Sequence, residues 1–114
     1  MPSLTNMKCK PLKAGSHPLP PDRARALLKG LRGWELAGGK ALRQELLMKD
    51  FMAAVRFIGR VAEAAEAEDH HPDVHLTGYR RLALELSTHS IGGLSENDFI
   101  LAAKIDALPR ELKS

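Results

Sequence analysis

The hydrophobic period of this chain changes partway along, and that change limits the fold more than any other feature. Between Phe51 and Glu68 the apolar residues Phe51, Val55, Ile58, Ala62 and Ala65 recur at three- and four-residue steps, widened by Met52 and Phe57. The spacing predicts an amphipathic helix with this stripe inward, and Asp50 stands where an N-cap is expected. Pro72 ends any continuation, because a residue that precedes proline avoids the helical region. Beyond it, Leu82, Leu84 and Leu86 alternate with Arg81, Ala83, Glu85 and Ser87. That is the two-residue period of a half-buried strand. The core must therefore accept a long helix on one side and a strand face on the other.

The remaining segments fit the same plan. Residues 1–20 carry Pro2, Pro11, Gly15, Pro18 and Pro20 with little periodicity, and read as an irregular arm ahead of one domain over 21–114. Pro21 and Asp22 suit the first turn of a helix that runs to about Leu31, with Leu27, Leu28 and Leu31 inward and Gly30 and Gly33 at its end. Trp34 to Leu36 reads as a strand, Gly38-Gly39 as a turn and Ala41 to Met48 as the returning strand, with Trp34 packed in the hairpin. Val74 to Thr77 and Arg80 to Thr88 make a second pair around Gly78, broken by Gly92-Gly93. Ser95-Glu96-Asn97-Asp98 has the form of a capping box, with Leu94 and Phe99 as a hydrophobic staple, and opens a last helix to about Leu108. The order α-β-β-α-β-β-α implies an α+β two-layer sandwich, a four-stranded antiparallel sheet with three helices on one face. The other sheet face is left open, which makes an oligomer that covers or extends it plausible.

With 114 residues, the chain is expected to bury one core without staples. A net charge of +3 is too small to argue for nucleic acid; the early basic group (Lys8, Lys10, Lys13, Arg23, Arg25) and the acidic run (Glu63, Glu66, Glu68, Asp69) read as solvated faces. No apolar run approaches the roughly 20 residues needed to span a membrane. The N-terminal residues lack the apolar core of a signal peptide, and the single cysteine, Cys9, fits a reducing compartment, so a cytoplasmic location is expected. Cys9 itself reads as an incidental thiol in a loose arm, remote from other metal-ligand types.

Four of the five histidines, His70, His71, His75 and His89, fall within twenty residues. His70 and His71 leave the helix end just before Pro72. Strand parity places His89 with Glu85 and Ser87, away from the leucines, provided the strand reaches it. Three readings compete: surface histidines at element ends, a zinc site with an open position, and general acid–base chemistry, which suits an imidazole of unperturbed pKa about 6.5. Glu66, four residues before His70, could orient that imidazole or be one more solvated glutamate. Asp98 already has a structural explanation as the acid of the capping box.

The ordered run Glu66-Ala-Glu-Asp69-His70-His71-Pro72-Asp73, then Tyr79, then Leu86-Ser-Thr88-His89, then Gly93-Leu94-Ser95-Glu96-Asn97-Asp98-Phe99 resembles the pterin-4a-carbinolamine dehydratase family. The similarity extends upstream through Gly33-Trp34 and Lys49-Asp50-Phe51 and covers about residues 21–108. It implies the same sandwich, assembled as homodimers or homotetramers. It also implies dehydration of a 4a-hydroxytetrahydropterin to the quinonoid dihydropterin in tetrahydrobiopterin recycling, without metal or cofactor. Carried over by position, His70 and His89 are the acid–base pair and His71 positions the substrate. Glu66, Asp69, Pro72, Thr88, Ser90 and Asp98 are the surrounding substrate-binding positions, with Ser90 and Asn97 standing where the family varies. Members with this style of arm often carry a Cys-x-x-Cys pair, whereas the matching spacing here gives Cys9 and Leu12. The rival function is a non-catalytic interaction module of the same fold, a transcription-factor dimerisation cofactor or a carboxylase assembly factor. Neither reading involves a membrane or direct nucleic-acid binding. A structural metal-binding module is a third class, and predicts bound zinc.

Overall fold

The computed structural model describes residues 4–12 and 15–114; Pro2 of the arm and Lys13 of the basic group lie outside the described residues. The elements are α1 (Pro21–Leu28), β1 (Glu35–Ala37), β2 (Ala41–Leu47), α2 (Phe51–Glu68), β3 (Asp73–Thr77), β4 (Arg81–Leu86) and α3 (Glu96–Asp106). Their order is the expected one. The four strands form one antiparallel sheet in the order β1-β2-β4-β3.

Register explains which face is buried. Leu42 lies opposite Leu86, Gln44 opposite Leu84 and Leu46 opposite Leu82, so the alternating leucines of β4 share one face with the even-numbered residues of β2. Leu42, Leu82, Leu84 and Leu86 are fully buried there against Phe57, Val61, Phe99, Leu101 and Ile105 of α2 and α3. On the opposite face Arg43 bridges Glu45 at 3.0 Å and Glu85 at 2.8 Å, and His75 stands across from Ala83. His75 therefore faces away from the helical layer.

Gly38 and Gly39 supply the left-handed turn between β1 and β2 at φ of 59° and 70°. Asp50 caps α2 by accepting from the Ala53 N–H at 2.8 Å. Ser95 and Asp98 form the anticipated capping box of α3, and Leu94 and Phe99 are both buried. Trp34 is buried and donates from Nε1 to Asp106 Oδ1 at 2.8 Å, which ties the β1 entry to the end of α3.

Several expectations are corrected. Helix α1 stops at Leu28 rather than Leu31, where a tight turn over Gly30 takes over. The inward stripe of α2 is Ala54, Phe57, Val61 and Ala65, while Phe51, Met52 and Val55 are 51%, 57% and 43% exposed. The helix carries two apolar stripes, and periodicity cannot say which one meets the sheet. Strand β4 ends at Leu86 and not at Thr88. Thr88 and Gly93 then close a loop through paired N–H···O=C bonds of 2.8 and 3.4 Å.

The N-terminal arm is docked rather than loose. Leu4, Cys9 and Leu19 pack against the core, the Leu19 N–H donates to Leu94 O at 2.8 Å, and Lys104 Nζ donates to Thr5 O at 3.1 Å. Gly93 is required by this docking, since a Cβ at that position would lie 2.9 Å from the Pro18 ring. Among the described residues no helix is long and apolar enough to cross a membrane.

Candidate active site

The site starts where α2 ends. Asp69 adopts a left-handed conformation (φ 51°), and the His70 N–H donates back to Ala65 O at 3.2 Å, a six-to-one closure of the helix. This turn redirects the chain, so the i, i+4 offset that would aim Glu66 at His70 no longer holds. Glu66 Oε2 meets His71 Nε2 instead, at 2.6 Å, and that pair is exposed. The assignment of Glu66 to His70 is thereby corrected.

His70 swings toward α3, where its Nε2 lies 2.5 Å from Asp98 Oδ1. Asp98 is fully buried. Its second oxygen accepts from Thr88 Oγ1 at 2.8 Å and from the Ser95 N–H at 2.9 Å. Thr88 Oγ1 also meets Ser95 Oγ at 2.7 Å. Asp98 is thus both the capping acid and the anchor of an imidazole. The contact aims the His70 Nε2 at Asp98 and leaves Nδ1 as the ring's open nitrogen. The Glu66–His71 pair orients the second ring in the same sense.

His70 lines a cavity of about 430 Å³ together with Asp69, Thr88 and Ser90. That volume suits a bicyclic small molecule. Glu66, His71 and Pro72 border a second depression, of about 350 Å³, with Val74 of β3. His89 opens a short 3-10 turn, His89–Ile91, with its ring exposed between the cavity-lining Thr88 and Ser90 in the chain. The strand-parity argument for His89 fails because the loop closed by Thr88 and Gly93 begins before it. Its removal from the core stands for a different reason, the outward turn. Among the described residues no three His, Cys, Asp or Glu side chains group as a metal-ligand set.

The arm, Glu68 and Asn97 are neighbours of the site that carry no signal in the sequence. The arm forms part of the cavity wall, with Lys8, Cys9, Lys10, Pro11 and Leu12 lining the same cavity as His70. Cys9 is therefore next to the site, not remote from it. Its N–H donates to Glu68 Oε1 at 2.8 Å, and its thiol to Asn97 O at 3.4 Å. Burial, reinforced by the Glu68 carboxylate, pushes the Cys9 thiol up to about 12, so it stays protonated and is no nucleophile. The Cys9 N–H bond, with Lys104 and Lys8 adding to it, holds the Glu68 carboxyl below its ordinary range against the opposing effect of burial. Asn97, also buried, accepts from the Lys10 N–H at 2.9 Å and donates to Lys10 O at 2.7 Å.

An α+β sandwich that fixes an imidazole on a buried capping aspartate, at the rim of a small cavity, is the class of molecule these features define. The sequence profile described as pterin 4 alpha carbinolamine dehydratase matches residues 17–108. The chain belongs to that family. A relative from Stenotrophomonas maltophilia, provisionally named a pterin-4-alpha-carbinolamine dehydratase, is 44% identical over 110 residues, covering 96% of this chain and 94% of the relative. Pterin-4-alpha-carbinolamine dehydratase 2, mitochondrial, of Arabidopsis thaliana is 43% identical over 112 residues, covering 95% of this chain and 60% of its own. The crystal structure of a transcriptional coactivator/pterin dehydratase from Brucella melitensis superposes with a TM-score of 0.74 at 34% identity, over 80% of this chain and 97% of that one.

Proposed function

We propose that this chain dehydrates a 4a-hydroxytetrahydropterin to the quinonoid dihydropterin plus water, as a step in tetrahydrobiopterin recycling. The observation that carries the reading is His70, its Nε2 held by buried Asp98 at 2.5 Å, on the wall of a pterin-sized cavity. Family membership supplies the substrate class.

The reaction breaks the C4a–O bond and forms a C4a=N5 double bond. An acid protonates the leaving hydroxyl so that it departs as water, and a base takes the N5 proton. Imidazoles perform both transfers near neutral pH without a cofactor. His70 and His89 are assigned to this pair and His71, braced by Glu66, to positioning the substrate. Asp69, Pro72, Thr88 and Ser90 complete the binding surface, and Asp98 holds the His70 ring. The single cysteine fits a reducing setting, and the reading places the protein in the cytoplasm.

The test is direct. Purified protein is expected to accelerate dehydration of chemically generated 4a-hydroxytetrahydropterin, and no acceleration would refute the reading. His70→Ala and His89→Ala should each lower kcat by about a hundredfold or more while the fold survives. An unchanged rate in either would strip that residue of its role.

A second role alongside catalysis is favoured by one observation. The Brucella melitensis neighbour is described both as a transcriptional coactivator and as a pterin dehydratase. A partner-binding function would rest on association of copies into a homodimer or homotetramer, for which the exposed stripe of α2 (Phe51, Met52, Val55) offers one apolar surface.

A further inference from the structure

We infer that residues 8–12 of the N-terminal arm are a working wall of the pterin cavity, latched in place by Asn97 and Glu68, which act as positioning residues for substrate binding. The inference rests on the dehydratase reading of the cavity. Its physical basis is the way the arm is held.

A segment that merely trails across a surface is held by scattered contacts. This one is held at adjacent peptides by buried side chains of the domain. Asn97 makes a two-bond clamp on the Lys10 peptide, at 2.9 Å to its N–H and 2.7 Å to its O. Glu68, whose side chain is 6% exposed, takes the neighbouring Cys9 N–H at 2.8 Å. Both latches sit one residue from the site: Asn97 precedes Asp98, the anchor of His70, and Glu68 precedes Asp69, which shares the cavity with His70. The arm and the His70–Asp98 pair are thus fixed to the same two helix ends. Among the described residues that line the cavity, the two lysines, Lys8 and Lys10, both belong to the arm. Without these latches the cavity loses part of its wall while His70 keeps its Asp98 partner. Binding should weaken, and the chemical step should be spared.

The experiment measures KM and kcat on 4a-hydroxytetrahydropterin together with the Kd of a non-reacting 7,8-dihydropterin, by fluorescence, in the full chain. Lys10→Pro deletes the N–H given to Asn97 and changes only the arm; Asn97→Ala and Glu68→Ala remove the domain side of each latch. Each is expected to raise KM and Kd by about tenfold, the loss of one or two buried hydrogen bonds, with kcat within about twofold. Glu68→Gln keeps an acceptor for the Cys9 N–H and should restore most of the affinity lost in Glu68→Ala. His70→Ala should show the reverse split, a lower kcat with little change in Kd. Unchanged KM and Kd in folded Lys10→Pro, or a fall in kcat with KM unmoved, would overturn the arm's role while leaving the dehydratase reading intact. A full-length protein that neither binds the dihydropterin nor turns over substrate would overturn both. If Asn97→Ala fails to fold, Lys10→Pro decides the matter by itself.

Discussion

Asp98 concentrates two functions in one carboxylate. It completes the capping box through Ser95, as the sequence pattern foretold, and it holds His70, which the pattern does not reveal. The two functions separate by mutation. Ser95→Ala removes part of the cap but leaves the Asp98–His70 contact, and should cost about 1 kcal/mol of stability with a near-normal kcat. Asp98→Asn keeps the shape, yet its amide cannot accept from His70 on one side and from Thr88 and Ser95 on the other. At least one buried donor then goes unpaired, so the stability loss should be about 1–3 kcal/mol with kcat lowered at least about tenfold. Urea unfolding and initial rates on both variants decide between the roles, and equal kcat for the two would reduce Asp98 to a cap. The capping acid was legible because a box is a local, four-residue pattern. The His70 contact was not, because it joins residues 28 apart through a left-handed turn at Asp69 that no periodicity encodes.

At the scale of elements, strands were more legible than helix faces. The leucines of β4 alternate with Arg81, Ala83 and Glu85, and register with β2 buries them as expected. Helix α2 has apolar residues on two sides, so its length and cap were readable and its orientation was not. The arm was the least legible element, since its structure comes from the partners it finds, chiefly Glu68 and Asn97. Glu68 also makes that docking depend on pH. Its folded carboxyl titrates below its ordinary 4.5, first because of the Cys9 N–H bond. A depressed carboxyl adds stability above the unfolded value and loses it as pH falls through the folded one. The arm's attachment is therefore expected to be intact at neutral pH and to weaken progressively below about 4.5. Amide exchange of Cys9 and Lys10, followed from pH 6 downward and corrected for intrinsic rates, should show protection lost in that window. In Glu68→Gln the acid-dependent part of the loss should disappear, and an identical profile in both proteins would assign the effect to another group.

For the whole molecule, the sandwich leaves two surfaces of different kinds. The open sheet face is largely polar, with Arg43 paired to Glu45 and Glu85 across it. The outer stripe of α2 is apolar, and Phe51, Met52 and Val55 lie on the side of the helix away from Phe57 and Val61. A helix with apolar residues on both sides is usually covered on both, and a second copy of the chain is the occupant that family membership suggests. Met52→Glu with Val55→Glu puts charge on this stripe without touching the core, and acidic residues in the first turns suit the positive end of the helix dipole. The double variant should sediment as a monomer and the native chain as a dimer or tetramer, and the variant's melting temperature measured at low concentration should match that of the dissociated native protein. If the native chain is already monomeric at micromolar concentration, or if the double variant sediments unchanged, the outer stripe of α2 is not the surface through which copies associate.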